Sequence, residues 1–203
     1  QNRGGLQGTA TKLMVYASDQ GHSSIEKAAL LAGFGRVHLR FIETDENHAM
    51  RLDLLNAAIQ EDIALGRRPC AVVAAIGTTG TTALDPLKDI ARLQEKFRFW
   101  LHVDAAMAGT AMVLPECRWM WEGIEAADSM VMIPHKWMGT GFDLSAYFVK
   151  DPQHLIRVMS TNPSYLRTAQ DDEVKNLRDW GIPLGRRFRT CRSERPFPRN
   201  RNR

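Results

Sequence analysis

Short apolar runs alternate along this chain with stretches whose apolar residues recur at helical spacing. Residues 12–17 form an apolar run that predicts a strand, ending on Ser18-Asp19-Gln20-Gly21-His22. Ser23 or Ser24 can cap a helix whose inner side carries Ala28, Leu31 and Ala32, with Gly33 and Gly35 ending it. Residues 37–42 alternate as a second strand, and Leu52, Leu55, Ile59 and Ile63 give a helix over 51–65 closed by Gly66. Pro69 opens a buried strand over 71–76, followed by the polar turn Gly77-Thr78-Thr79-Gly80-Thr81-Thr82. Asp85-Pro86 then starts a helix, the aspartate as its cap, running to about residue 97. Residues 99–103 predict a strand ending at Asp104, and 128–132 another just before Ile133-Pro134-His135-Lys136-Trp137. Residues 144–149 alternate, and Asp151-Pro152 caps a short helix to residue 158.

Strand and helix in strict alternation predict an α/β fold, a mainly parallel sheet flanked by helices. Ligands of such sheets lie beyond the carboxyl ends of the strands. Four chemically suggestive segments fall there together: residues 18–22, 77–82, 104–106 and the His135-Lys136 pair. Internal repeats and heptads are absent from the pattern.

Composition changes this picture little. With 203 residues, 44% hydrophobic and 25% charged, the chain has room for one large domain with a sizeable core. The net charge of +4 divides into +7 over residues 186–203, from eight arginines against one glutamate, and −3 over the rest. A nucleic-acid reading would therefore rest on the tail alone. Three widely spaced cysteines without a CxxC point to a reducing, cytoplasmic compartment, away from a disulfide framework or a zinc site. Neither a membrane-span run nor a signal-peptide pattern occurs in the sequence. Residues 1–11 read as a loop, and the long polar stretch over 159–178 reads as a disordered or functional segment such as a lid.

Lys136 is the centre of the candidate chemistry. Trp137 and Met138 promise an apolar wall, which would weaken the ammonium's hold on its proton and make the amine a nucleophile toward an aldehyde. The plain alternative is a loop lysine beside aromatic residues. Asp104 reads equally as a helix N-cap or as a carboxylate paired with a cationic ring nitrogen, with the small Ala105 and Ala106 leaving space for something flat. His22 is either a core or capping histidine or a ring lying over a cofactor plane. The spacings of His22, His102, Asp104 and His135 match none of the paired metal-ligand patterns, so no metal is expected. Gly77-Thr78-Thr79-Gly80 lacks both the lysine of a P-loop and the spacing of a dinucleotide fingerprint.

Five segments in order carry a resemblance that none carries alone: Ser18-Asp19-Gln20-Gly21-His22-Ser23-Ser24, Gly77-Thr78-Thr79, His102-Val103-Asp104-Ala105-Ala106, Pro134-His135-Lys136-Trp137 and Trp180-Gly181-Ile182-Pro183-Leu184-Gly185-Arg186-Arg187. Over residues 13–189 the chain resembles the group II pyridoxal-phosphate-dependent decarboxylases, and within them the aromatic-L-amino-acid branch. The resemblance implies the large domain of the fold-type I, aspartate aminotransferase-like enzymes, here incomplete. It implies that Lys136 carries pyridoxal 5'-phosphate as an aldimine and that Asp104 keeps the pyridine nitrogen protonated. His22 would stack on one face of the ring, with Ala106 against the other, Thr79 at the ring's edge and His135 near the phosphate. Tyr165 matches the tyrosine of a mobile catalytic loop over about 159–178, which protonates the substrate carbon after CO2 leaves. Related enzymes that make aldehydes usually lack this tyrosine, so Tyr165 implies plain decarboxylation to an amine. The implied state of the complete enzyme is a homodimer acting on a small amino acid, with neither nucleic acid nor membrane as partner.

The chain also departs from the family. Ile133 stands where asparagine or aspartate is usual, and Gly21 where alanine is usual. The upstream phosphate-binding loop has no counterpart, and residues 190–195 do not continue into the family's apolar helix. The expected organisation is a partial cofactor-binding domain over 1–185 and a basic tail over 186–203, disordered or aberrant, on a truncated sequence. Two alternatives stand beside the aromatic decarboxylase: a decarboxylase of acidic or diamino substrates, and an inactive fragment whose tail binds nucleic acid. Residues 182–187 point to the aromatic branch.

Overall fold

The computed structural model describes Leu6, residues 10–161 and residues 176–183. Six strands form one sheet: β1 (Leu13–Ser18), β2 (Leu39–Ile42), β3 (Arg68–Ala75), β4 (Trp100–Ala105), β5 (Ser129–Met132) and β6 (Ala146–Val149), in the order β2-β1-β3-β4-β5-β6. The first five are parallel and β6 runs antiparallel to β5. Helices α1 (Ser24–Leu31), α2 (Leu52–Ala64) and α3 (Leu87–Phe97) alternate with the strands, and α4 (Pro134–Trp137) and α5 (Pro152–Met159) follow β5 and β6. The mainly parallel α/β sheet expected from the alternation is present.

Strand periodicity sorts the side chains onto two faces. Met14, Tyr16, Val72, Ala74, Leu101, Val103 and Ala105 join Leu55 and Ile59 of α2 and Leu87 and Ile90 of α3 in the larger core. On the opposite face Val15 and Ala17 meet Ile25 and Ala29 of α1, with Phe34, Ala71 and Val73 only partly buried against them. A charged side chain, Asp62, is fully buried against the larger core. The Tyr16 hydroxyl donates to Asp62 at 2.8 Å, and Arg67 donates to the same fully buried carboxylate at 2.9 Å, so the charge is paired.

Several local expectations need correction. Of residues 37–42 the last four are strand; Gly35 at φ +76° leads into a 3-10 turn, Arg36–His38, before β2. Neither serine caps α1 through its side chain, since Ser23 occupies the N-cap without such a bond. Asp85 does not cap α3 through its side chain either. Its carboxylate, 3% exposed, accepts from the backbone N–H groups of Ala75 (2.7 Å) and Met50 (2.8 Å), joining β3 to the residue before α2's entry. Burial pushes its pKa up to about 6, against the pull of those two donors. Asp151 does cap α5, accepting from Gln153 N–H at 2.9 Å.

Between β4 and β5 the chain makes three 3-10 turns, Ala108–Val113, Pro115–Trp121 and Ile124–Ala126, which place Trp121 in the larger core. Gly123 (φ +96°) passes so close to α3 that a Cβ would sit 2.7 Å from the Lys88 Cα. Among the described residues no helix is long and apolar enough to cross a membrane. The lid expected over 159–178 falls mostly outside the described residues, with α5 reaching Met159 and a 3-10 turn at Leu177–Trp180. The tail over 186–203 lies wholly outside them.

Candidate functional site

A cavity of about 560 Å3 opens between α1 and the less covered face of the sheet, within the range of small-molecule sites. Alternate residues of three strands build its wall: Ala71, Val73 and Ala75 of β3, His102 and Asp104 of β4, and Val131 of β5. Their parallel register aligns Ala75 with Asp104 and Asp104 with Val131. Helix α1 roofs it with Ile25, Ala28 and Ala29, and Phe34 extends the apolar lining.

Five of the seven candidate residues meet here: His22, Thr79, Asp104, Ala106 and Lys136 all line the cavity. Asp104 is half-buried at the end of β4, where one carboxylate oxygen accepts from the Ala106 N–H at 3.1 Å. Its other oxygen has no hydrogen-bond partner among the described residues. The carboxylate therefore fastens the following turn and still presents an acceptor. Thr79 is exposed at the rim, held there by a turn in which Thr78 is buried and accepts from Ala83 N–H at 3.1 Å. Gly77 makes that turn possible, because at φ +77° an added Cβ would come 2.5 Å from the Ala108 Cβ.

Lys136 enters from α4, one turn beyond β5, with Pro134 buried beneath it. The amine is exposed and Trp137 is 51% exposed, so the described residues do not build the apolar wall expected of Trp137 and Met138. Ile133 lines the cavity, placing an apolar side chain at the rim beside Lys136. His22 is exposed and so is no core histidine; its Nδ1 lies 2.9 Å from the Ser24 hydroxyl and 3.3 Å from the Ser24 N–H.

Two candidates stand apart. His135 does not line the cavity: its Nδ1 is 2.9 Å from both the N–H and the carbonyl oxygen of Leu144, and its ring packs on Phe142 at 4.7 Å. Tyr165 lies outside the described residues. Among the described residues no cluster of three metal-ligating side chains occurs.

Sequence patterning missed the walls contributed by α1 and Phe34, and it missed the partner of His102. The wall was legible in principle, as the alternate small residues Ala71, Val73 and Ala75 mark one face of β3. The His102 partner is Ser129, 27 residues away, at 2.8 Å from Nδ1; only the β4–β5 register joins them.

The arrangement suits a flat aromatic heterocycle bearing a carbonyl. An open carboxylate oxygen can pair with a ring N–H, a rim amine can condense with an aldehyde, and the His22 imidazole and the Ala106 methyl group line the same cavity. Residues 5–193 match the family model described as the pyridoxal-dependent decarboxylase conserved domain. The chain is 44% identical over 181 residues to the aromatic-L-amino-acid decarboxylase of Drosophila melanogaster, covering 89% of this chain and 35% of that protein. It is 43% identical to the phenylacetaldehyde synthase of Arabidopsis thaliana, covering 89% and 38% respectively. It superposes on the crystal structure of Oryza sativa TDC with PLP and tryptamine at a TM-score of 0.89 and 39% identity, covering 95% of this chain and 40% of that one. The chain thus spans just over a third of the length of these curated relatives.

Proposed function

The chain belongs to the pyridoxal-dependent decarboxylase family, and from that premise we propose that the complete protein removes CO2 from an aromatic L-amino acid and releases the amine. The observation that carries this reading is the pairing of Lys136 and Asp104 in one cavity, an amine at the rim and an open carboxylate oxygen on the wall. When bound, pyridoxal phosphate supplies a sink for the electron pair left on the substrate's α-carbon as CO2 departs.

The chain's own residues take the remaining roles. Lys136 holds the cofactor covalently through its amine. Asp104 keeps a proton on the ring nitrogen through the oxygen that Ala106 leaves open. His22 covers one face of the ring, and Ala106, with only a methyl group, leaves room at the other. Thr79 offers its hydroxyl at the ring's edge, and His135, pinned at Nδ1, has Nε2 to offer the phosphate. Tyr165 delivers the proton to the substrate's α-carbon.

Support for an aromatic substrate comes from the wall itself. Its described lining is apolar apart from His22, Ser24, Thr78, Thr79, His102, Asp104 and Lys136, and includes no arginine to receive a side-chain carboxylate. We also assign the working enzyme to a homodimer, and the unbridged Cys70 and Cys117 support a cytoplasmic setting.

The experiment supplies the full-length protein with pyridoxal phosphate and either an aromatic amino acid or glutamate, and quantifies CO2, amine and aldehyde together. Amine from the aromatic substrate is expected; in Tyr165→Phe the products should shift toward aldehyde, with O2 reduced to H2O2, water supplying the carbonyl oxygen and the nitrogen leaving as ammonia. Preference for glutamate would overturn the substrate assignment, and absence of CO2 from every amino acid would overturn the enzymatic reading.

A further inference from the structure

The chemistry above leaves His102 unused, although it lines the cavity two residues before Asp104 on the same face of β4. Its ring belongs to a polar row. Trp100 Nε1 and His102 Nδ1 each lie 2.8 Å from the Oγ of Ser129, which is 3% exposed. An indole N–H can only donate, so Trp100 occupies one lone pair of that oxygen. The serine's own proton then needs an acceptor, and His102 Nδ1 is the one within reach among the described residues. The arrangement that pairs every proton in the row is Trp100 N–H to Ser129 Oγ and Ser129 O–H to His102 Nδ1. A neutral imidazole that accepts at Nδ1 carries its proton at Nε2. Burial favours this neutral ring by pulling the His102 pKa below its ordinary value, with the Asp104 charge opposing. Tyr147 of β6 fixes the ring further, stacked at 6.2 Å and 26°.

We propose that His102 is a positioning residue for Asp104, held by Trp100 and Ser129 as the Nε2–H tautomer so that a neutral donor stands beside the Asp104 carboxylate. The inference rests on the reading that Asp104 pairs with the cofactor's ring nitrogen. Neutrality is what makes the device useful. A neutral N–H stabilises the ionised carboxylate and orients it, whereas an imidazolium would form an ion pair and compete with the ring nitrogen for the same charge. One oxygen of Asp104 accepts from the Ala106 N–H, and the His102 ring lies two residues before it on the same face of β4, so this tautomer sets a neutral N–H rather than a charge beside the oxygen left open to the cavity.

Nitrogen-15 NMR of the histidine-labelled full-length protein without cofactor reads the tautomer directly. The expected spectrum has unprotonated Nδ1 and protonated Nε2 at His102, the signal identified by its loss in His102→Gln, and a mixed tautomer in Ser129→Ala. Titration with pyridoxal phosphate supplies the second reading. His102→Leu should weaken binding roughly tenfold, the weight of about one hydrogen bond, and lower kcat with KM for the amino acid unchanged. His102→Gln, whose amide can accept from Ser129 and donate onward, should recover most of that loss. An Nδ1–H tautomer in a parent that binds the cofactor would overturn this inference alone, as would equal losses in the leucine and glutamine variants. A parent with the expected tautomer that binds no pyridoxal phosphate would overturn the cofactor reading, and with it the purpose given to His102.

Discussion

Leu101, Val103 and Ala105 of β4 are fully buried in the core with α2 and α3, whereas Trp100, His102 and Asp104 of the same strand are half-buried, the latter two turned to the cavity. The same division runs through β3, where Val72 and Ala74 are buried in the core and Ala71 and Val73 line the cavity. One backbone therefore serves two purposes through a period of two. On the core face Met14, Tyr16, Val72, Leu101 and Val103 pack against α2 and α3, and their burial stabilises the sheet at about 25 cal/mol per Å2 of apolar area. The cavity face carries Ala71, Val73 and Ala75 on β3 and presents His102 and Asp104 toward the carboxyl end of β4. Rigidity on one side is what lets Asp104 hold its place on the other.

The largest expected effect is on the cavity face. Asp104→Asn should lower turnover of the cofactor-loaded enzyme roughly a hundred- to thousandfold, on the scale of losing one preorganised electrostatic contact. Its unfolding midpoint should stay close to the parent's, because the amide oxygen still accepts from Ala106. Steady-state rates and a thermal melt on the same preparation check both halves.

Three residues earlier on the same strand the result should invert. Leu101→Ala removes a fully buried side chain and is expected to cost about 2–5 kcal/mol of stability, with kcat of the surviving folded enzyme unchanged. Val73→Ala, on the open face, should cost less than about 2 kcal/mol because the cavity already borders it. Denaturant unfolding of both variants measures the contrast, and equal losses would erase the distinction between the faces.

Asp85 lies below both faces in expected effect and gives a pH signature. Its folded pKa of about 6 stands above the unfolded value near 3.9. The folded state holds the proton more tightly, so this group's contribution to stability falls as pH rises from about 4 to 6 and then levels off. In Asp85→Asn that slope should vanish, a difference of ~1–3 kcal/mol across the window. Denaturation midpoints of parent and variant at pH 4, 5, 6 and 7 would reveal it.

How much of this was legible beforehand follows from the range of the interactions involved. Strands, helix faces and the shared end of the sheet rest on period and punctuation, which neighbouring residues carry themselves. Asp85-Pro86 has the local form of a helix start, yet the Asp85 carboxylate answers to Ala75 and Met50, and only the folded chain brings Met50 there. Between β4 and β5 the chain makes 3-10 turns, which bond i to i+3 and present no 3.6-residue stripe for a sequence pattern to reveal. Trp137 beside Lys136 suggested enclosure, but adjacency along a one-turn helix sends neighbours in different directions, and Trp137 remains half exposed. His102 and Ser129 met through strand register, which no single segment encodes.

We assign Lys136 and Asp104 to one cofactor site on the open face of the sheet. Visible absorption of the full-length protein titrated with pyridoxal phosphate tests it most directly. A protein-bound band is expected in the parent that is abolished in Lys136→Ala, persists in Asp104→Asn with altered position or pH response, and is untouched in Leu101→Ala at temperatures where that variant is folded. A band of full intensity in Lys136→Ala, unchanged in position from the parent's, would contradict it.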